Sequence, residues 1–344
     1  MTYIPNESRY EKDMQYRKVG NSGLVLPAIS LGLWQNFGSI NDFKTGREIL
    51  HYAFDNGITH FDLANNYGPP AGSSEERFGQ YLKKDFMSYR DELIISSKAG
   101  WDMWPGPYGG PTGTRKHIIA SCDQSLRRMN LDYLDIFYSH RVDPNTPLEE
   151  TMGALTQLYR QGKALYIGIS SYSPELTRKA EKILREDKVP LFIHQPNYSM
   201  LNRAIEDGLL DTLEELGTGC IAFSPLAQGM LTSKYLNGTP LDTRAEYNKS
   251  LSKMMLREEN IQKIKALNII AEHRGQTLAQ MAIAWVLRDK RVTSALIGAR
   301  NIEQLSDSLK SLKNLEFSNE ELIEIDKYAK DGDVDLWKIS SHIK

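Results

Sequence analysis

Cysteine is nearly absent from this chain: there are two in 344 residues, Cys122 and Cys220. Neither belongs to a CxxC pair or a Cys/His cluster. This argues against a zinc centre or a disulfide scaffold and leaves two reduced, core-facing thiols. An excess of one charge is missing too. With a formal net charge of −2, no surface is marked out for nucleic acid or an anionic membrane. No apolar run approaches the roughly 20 residues that a membrane-spanning helix needs. The opening Met1-Thr2-Tyr3-Ile4-Pro5-Asn6-Glu7 has no basic patch followed by an apolar stretch. A secretory signal is therefore not expected, and the cytoplasm is the expected location. No GxGxxG follows a strand-like run, which counts against a Rossmann fold. With no GxSxG elbow and no metal motif, a hydrolase is set aside.

What is present is ordinary in bulk and regular in order. Hydrophobic residues make up 40% and charged residues 25% of a chain long enough for one large domain. Apolar runs read as strands at Ile29–Gly32, His60–Ala64, Leu93–Ala99, Leu134–His140, Ala164–Ser171, Leu191–Pro196, Cys220–Leu226 and Ser294–Gly298. Several are near-continuously apolar, as parallel strands covered by helices on the outside should be. Helix-start signals lie between them. Ser73 with Glu76 reads as a capping box, Thr146-Pro147 and Ser173-Pro174 as a cap with a first-turn proline, and Asn301 as a cap. Ser318 with Glu321 opens a last amphipathic helix. About eight strand–helix units in roughly 300 residues match a (β/α)8 TIM barrel.

Three segments fall outside that repeat. Tyr16 to Leu26 reads as a hairpin turning at Asn21-Ser22-Gly23, suited to plugging the bottom of a barrel. Gly100–Thr114 contains Gly106-Pro107-Tyr108-Gly109-Gly110-Pro111 and cannot continue a helix or strand. Ala227 to about Gly275, after the seventh strand, reads as a long loop over the barrel mouth.

Polar residues close four of the apolar runs or follow them closely: Asp62 and Tyr67, Lys98, His140, and Gln195. Catalytic groups in this fold class sit at the C-terminal ends of the strands. Singly, each has an ordinary structural role, such as a cap, an edge charge or a satisfied core imidazole. Together at equivalent strand ends they match what carbonyl reduction requires. A phenol can protonate a developing alkoxide, and its free pKa is near 10. Lys98 is expected to lower that pKa, with Asp62 holding the ammonium and His140 orienting the carbonyl or sharing the proton. The protein has no hydride donor of its own, so a nicotinamide cofactor is implied. Trp101, Trp104 and Tyr108, on the loop after the lysine, are candidates for a substrate wall. Arg141 follows the histidine as a possible phosphate partner, although strand alternation argues against it.

Phe61-Asp62-Leu63-Ala64-Asn65-Asn66-Tyr67-Gly68, Ser97-Lys98 and Tyr138-Ser139-His140 together resemble the tetrad signature of the aldo-keto reductases. Gly162 to Ser171, Gln195-Pro196-Asn197-Tyr198 and Phe223-Ser224-Pro225-Leu226 are similar to further motifs of that family. The resemblance covers nearly the whole chain and implies one barrel domain over residues 1–344, with an N-terminal hairpin and a C-terminal helical extension. It is closest to the branch holding bacterial L-glyceraldehyde 3-phosphate reductases and potassium-channel β subunits. Met103 to Gly109 and Asp335-Leu336-Trp337-Lys338 favour the reductases.

The resemblance implies a tetrad of Asp62, Tyr67, Lys98 and His140, with Tyr67 the proton donor. It places Ser170, Ser171 and Gln195 on the nicotinamide carboxamide, with Trp34 and Asp62 beside the ring. Ser224, Pro225, Leu226, Gln228 and Gly229 would line the pyrophosphate, and Gly298, Arg300, Gln304, Asp307 and Ser308 the adenosine end. Lys234 and Arg244 match the branch's two basic residues for a 2′-phosphate, which predicts NADP(H) over NAD(H). Trp34, Tyr67, Trp101 and His140 would face the substrate. The chain departs from much of the branch at Ser171, where arginine is common, and at Leu33, where some relatives carry a hydroxyl. No metal is implied. Expected substrates are short aldehydes, including L-glyceraldehyde 3-phosphate and methylglyoxal-like dicarbonyls, and the expected assembly is a homo-oligomer of four or eight chains. The alternative is a regulatory subunit, like the channel β subunits, that binds NADPH and turns over slowly.

Overall fold

The computed structural model describes residues 3–236, 257–335 and 343. Eight parallel strands close into a barrel in the order β10-β3-β4-β5-β6-β7-β8-β9. They are β3 (Ile29–Gly32), β4 (His60–Asp62), β5 (Ile94–Ala99), β6 (Leu134–Ser139), β7 (Ala164–Ser170), β8 (Leu191–Gln195), β9 (Gly219–Phe223) and β10 (Ser294–Ile297). The (β/α)8 barrel expected from the sequence is therefore the fold observed. Most strands end one to three residues earlier than the apolar pattern suggested. Leu63 and Ala64 lie past β4, and Ser224 leaves β9 with φ 55, a left-handed conformation that a strand cannot hold.

A small antiparallel hairpin, β1 (Tyr16–Lys18) with β2 (Val25–Pro27), precedes the barrel. Val19 and Leu26 are fully buried against Ile136, Phe192, Ile193 and Ile221, so the hairpin plugs the barrel. Gly219 makes this possible, because a Cβ there would sit 2.3 Å from Val19 Cγ1.

The helices are α1 (Phe43–Asp55), α2 (Ser73–Tyr81), α3 (Arg115–Met129), α4 (Leu148–Arg160), α5 (Pro174–Glu186), α6 (Leu209–Leu216), α7 (Glu258–His273), α8 (Leu278–Leu287), α9 (Ile302–Leu309) and α10 (Asn319–Asp326). Ser173, Asn301 and Ser318 cap α5, α9 and α10 as their spacing predicts. Two caps differ. Gly72, at φ 87, begins α2, and the Ser73 hydroxyl instead accepts the Ser39 amide. Pro147 holds the cap position of α4, while Thr146 Oγ1 donates to Asp143 at 2.5 Å.

The stretch after β9 is not loop throughout. Residues 257 onward carry α7, whose Ile261, Ile264, Leu267 and Ile270 face the core, followed by the wholly buried α8. The Gly100–Thr114 segment has neither helix nor strand, as expected. Cys122 and Cys220 are both free and buried, and burial raises the Cys122 thiol pKa to about 12. Among the described residues, no helix is long and apolar enough to cross a membrane, and no cluster of His, Cys, Asp and Glu could hold a metal.

Candidate active site

The polar residues of four strand ends meet at the C-terminal mouth of the barrel. Asp62 ends β4, Lys98 lies next to last on β5, His140 follows β6, and Gln195 ends β8. Tyr67 comes in on the loop after β4. Asp62 and Lys98 are fully buried and joined by an ion pair of 2.5 Å. The same ammonium donates to the Leu63 carbonyl at 2.7 Å. Asp62 also accepts from Ser96 Oγ at 2.6 Å and from Gln195 Nε2 at 3.3 Å. The Lys98 ammonium lies 5.1 Å from the centre of the Tyr67 ring, and the Tyr67 and His140 rings meet edge-on at 5.9 Å. Trp34 flanks Tyr67 at 6.2 Å, and Trp101 flanks His140 at 6.1 Å.

Burial dominates the electrostatics. It pushes the Tyr67 phenol well above its usual range, and the Asp62 carboxylate adds to the effect. Burial outweighs the lowering expected from Lys98, two of whose three ammonium hydrogens go to Asp62 and Leu63. Lys98 is itself lowered by burial, against the pull of Asp62. His140 is held well below its ordinary range by burial, then by the positive charges of Lys98 and Arg141. At neutral pH the site therefore presents a protonated phenol beside a neutral imidazole, whose Nδ1 has no hydrogen-bond partner among the described residues.

A cleft of about 1340 Å³ opens from this point and runs across the barrel mouth to α9. Its wall includes Asp62, Tyr67, His140, Trp34 and Trp101, then Ser170, Ser171 and Gln195. Ser224, Pro225, Leu226, Gln228, Gly229 and Lys234 continue it, and Gly298, Arg300, Gln304, Asp307 and Ser308 close the far end. Lys98 is not on the wall; it lies beneath. Arg244 lies outside the described residues. Trp104 stacks on His117 at 4.9 Å, and Tyr108 is 58% exposed, so of the three loop aromatics only Trp101 faces the cleft. Arg141 lies beyond the end of β6, where strand alternation no longer applies, and its guanidinium stacks over Trp101 at 4.4 Å.

The cleft suits an extended, anionic ligand. A Cβ at Gly229 or Gly298 would meet nothing within 4 Å, so bare backbone lines the opening there. Ser171, Ser224, Ala227 and Gln228 all have positive φ, and left-handed conformations in non-glycine residues gather at ligand sites. The N-terminus of α9 and two cations, Lys234 and Arg300, favour phosphate. Some candidates already have structural partners: Asp307 accepts from Gln280 at 2.6 Å, and Ser170 Oγ donates to the Gln195 carbonyl at 2.8 Å. Asn36, Asn66, Asn268 and Glu272 also line the cleft, and the sequence did not single them out. The last two sit on α7, and the Ile261, Ile264, Leu267 spacing could have shown that helix.

Known proteins are similar to this chain in sequence. The sequence model described as "Aldo/keto reductase family" matches residues 28–330. The chain is 59% identical to the L-glyceraldehyde 3-phosphate reductase of Escherichia coli strain K12, over 99% of both chains. It is 36% identical to a probable voltage-gated potassium channel subunit beta of Arabidopsis thaliana, over 87% of this chain and 91% of the plant protein.

Proposed function

We propose a reaction from one premise: the chain belongs to the aldo/keto reductase family and is an oxidoreductase acting on aldehydes. The reading is NADP(H)-dependent reduction of a small aldehyde to the alcohol, with Tyr67 as proton donor. The observation that carries it is the convergence of Asp62, Tyr67, Lys98 and His140 at the base of one cleft. When bound, the nicotinamide supplies the hydride. Ser170, Ser171 and Gln195 would hold its carboxamide, residues 224–229 the pyrophosphate, and Arg300 with the start of α9 the adenosine end. Lys234 and Arg244 would take the 2′-phosphate.

The chain's own work is positioning and proton transfer. Neutral His140 binds the carbonyl oxygen. Tyr67 keeps its proton until negative charge develops on that oxygen and then gives it up. Lys98, fixed by Asp62 and Leu63, supplies a positive field beneath the phenol as it becomes an anion. Trp34 and Trp101 flank Tyr67 and His140 and exclude water from a short substrate.

The strong similarity to a reductase of L-glyceraldehyde 3-phosphate supports that triose phosphate as substrate, with methylglyoxal-like dicarbonyls as further substrates. We read residues 1–344 as one domain of a cytoplasmic homo-oligomer of four or eight chains, whose mass light scattering would give. The deciding experiment is NADPH oxidation, followed by absorbance, with both substrates and with unphosphorylated glyceraldehyde. Turnover is expected with the triose phosphate. Tight NADPH binding without turnover would favour the regulatory reading that similarity to the channel subunit suggests.

A further inference from the structure

Just below the tetrad, the barrel interior is polar on one side only. Ser294 on β10, Ser30 on β3, His60 on β4 and Ser96 on β5 come from four consecutive strands of the closed order, and all are fully buried. On the other side, Ile136, Tyr138, Ile193 and Ile221 pack together. Interior layers of such barrels are usually filled by bulky aliphatic residues. Apolar residues of matching shape would fill this half as stably, since burying a hydrogen-bonded polar pair brings little net gain. The polar half lies under Asp62, and its hydrogen bonds run towards that residue.

The direction of each bond can be deduced. A carboxylate only accepts, so Ser96 Oγ spends its one hydrogen on Asp62 Oδ1, at 2.6 Å. Ser96 must then accept from His60 Nε2, at 2.9 Å, so Nε2 carries a hydrogen. His60 is neutral near pH 7, because burial lowers its pKa to about 4. Its Nδ1 is therefore bare and accepts from Ser30 Oγ, at 2.9 Å. With its hydrogen used, Ser30 accepts from Ser294 Oγ, at 2.7 Å. Every hydrogen points along the row towards Asp62.

The geometry points to Ser294, Ser30, His60 and Ser96 as a one-way hydrogen-bond chain of positioning residues that fixes the Asp62 carboxylate beside Lys98. This rests on Asp62 and Lys98 being tetrad members. The groups around Asp62 are Lys98 and Ser96 from β5, Gln195 from β8, His60 from its own strand, and Tyr67, with Tyr138 from β6 also within its field. Of these donors, Lys98 and Gln195 also serve the upper site. Ser96 is the one whose other partner lies in the chain. Aligned hydroxyl and imidazole dipoles strengthen one another in a dry interior.

Two measurements test the inference. The first is magic-angle-spinning NMR of the full-length protein labelled with nitrogen-15 histidine, with His60→Gln used to assign the signal. A neutral His60 with Nε2 protonated and Nδ1 bare is expected at neutral pH, and an Nδ1–H tautomer or a cationic ring overturns the direction. The second is Ser96→Ala. A carboxylate that loses a donor is held less firmly, and the Lys98 ammonium paired with it is then placed less well beneath the phenol. In that variant kcat should fall about tenfold, while the NADPH Kd stays within about twofold. A lower Tm with an unchanged kcat would reduce the row to filling and overturn the proposal. If the protein reduces no aldehyde, the reductase reading fails, and the tautomer still decides the direction of the chain.

Discussion

Tyr67 holds its proton tightly, and that sets what its removal should do. A phenol pushed up by burial and by Asp62 stays protonated across the working pH range, so as the proposed acid it is always loaded and the barrier lies in giving the proton up. Tyr67→Phe should lower kcat by about 10²–10⁴-fold with NADPH affinity nearly unchanged. Fluorescence titration beside steady-state rates checks this, and strong residual turnover would remove Tyr67 as the acid. Lys98 gives the complementary case, since it and Asp62 are fully buried and paired. Lys98→Met leaves an unpaired buried carboxylate and should cost about 3–5 kcal/mol in urea unfolding. A loss well under that would mean water reaches Asp62. The residue types of this site were legible from sequence because Asp62, Lys98, His140 and Gln195 sit where apolar runs stop, with Tyr67 on the loop after one of them. The pKa directions were not, because they follow from burial and from where the Lys98 hydrogens go, and neither is a property of spacing.

At the scale of elements, sequence signals held where they are local and self-sufficient. Ser173-Pro174 and Ser318 with Glu321 cap their helices because the side chain finds an amide three residues on. Ser73 has the same spacing to Glu76 but does not cap. Left-handed Gly72 already starts the turn there, and the hydroxyl is drawn to the Ser39 amide on a distant loop. α7 was hidden inside a charged stretch whose loop-like start masked its apolar spacing. The hairpin was legible as a hairpin and as a plug, and its energetics can be tested. Leu26 is fully buried in the barrel floor, so Leu26→Ala should cost about 2–5 kcal/mol by urea unfolding and leave NADPH binding unchanged. A tenfold loss of NADPH affinity would show that the floor is coupled to the mouth. The proposed coenzyme preference rests on two basic residues after β9. Lys234→Ala with Arg244→Ala should erase most of the preference for NADPH over NADH, read as the ratio of kcat/KM values; an unchanged ratio would move the 2′-phosphate site elsewhere.

For the whole molecule, the barrel was legible because a strand, a turn and a helix repeat, and closure adds only register. What closure adds chemically is a set of neutral imidazoles locked in the interior, and these make stability depend on pH. His60 accepts from Ser30 at Nδ1, and His194 Nε2 accepts the Tyr172 amide at 3.2 Å. Protonating His194 breaks its bond, because an amide N–H cannot accept, and protonating His60 forces Ser30 to turn its hydrogen away. Burial lowers the two pKa values to about 4 and about 3, from an ordinary value near 6.5. Since the folded pKa lies below the unfolded one, the unfolded chain binds more protons as the pH drops through this range. The stability is thus fully present above about pH 6.5 and is lost as the pH falls towards the folded values, by about 1.4 kcal/mol per pH unit for each imidazole. Tm by calorimetry should hold between about pH 8 and pH 7 and fall steeply by about pH 5. His194→Gln should flatten that fall, because it removes one of the buried, proton-linked imidazoles and leaves the proposed tetrad untouched. A Tm that stays level down to about pH 5 would mean that the barrel accommodates charged imidazoles, with the Ser30–Ser294 half of the row beneath Asp62 reversed.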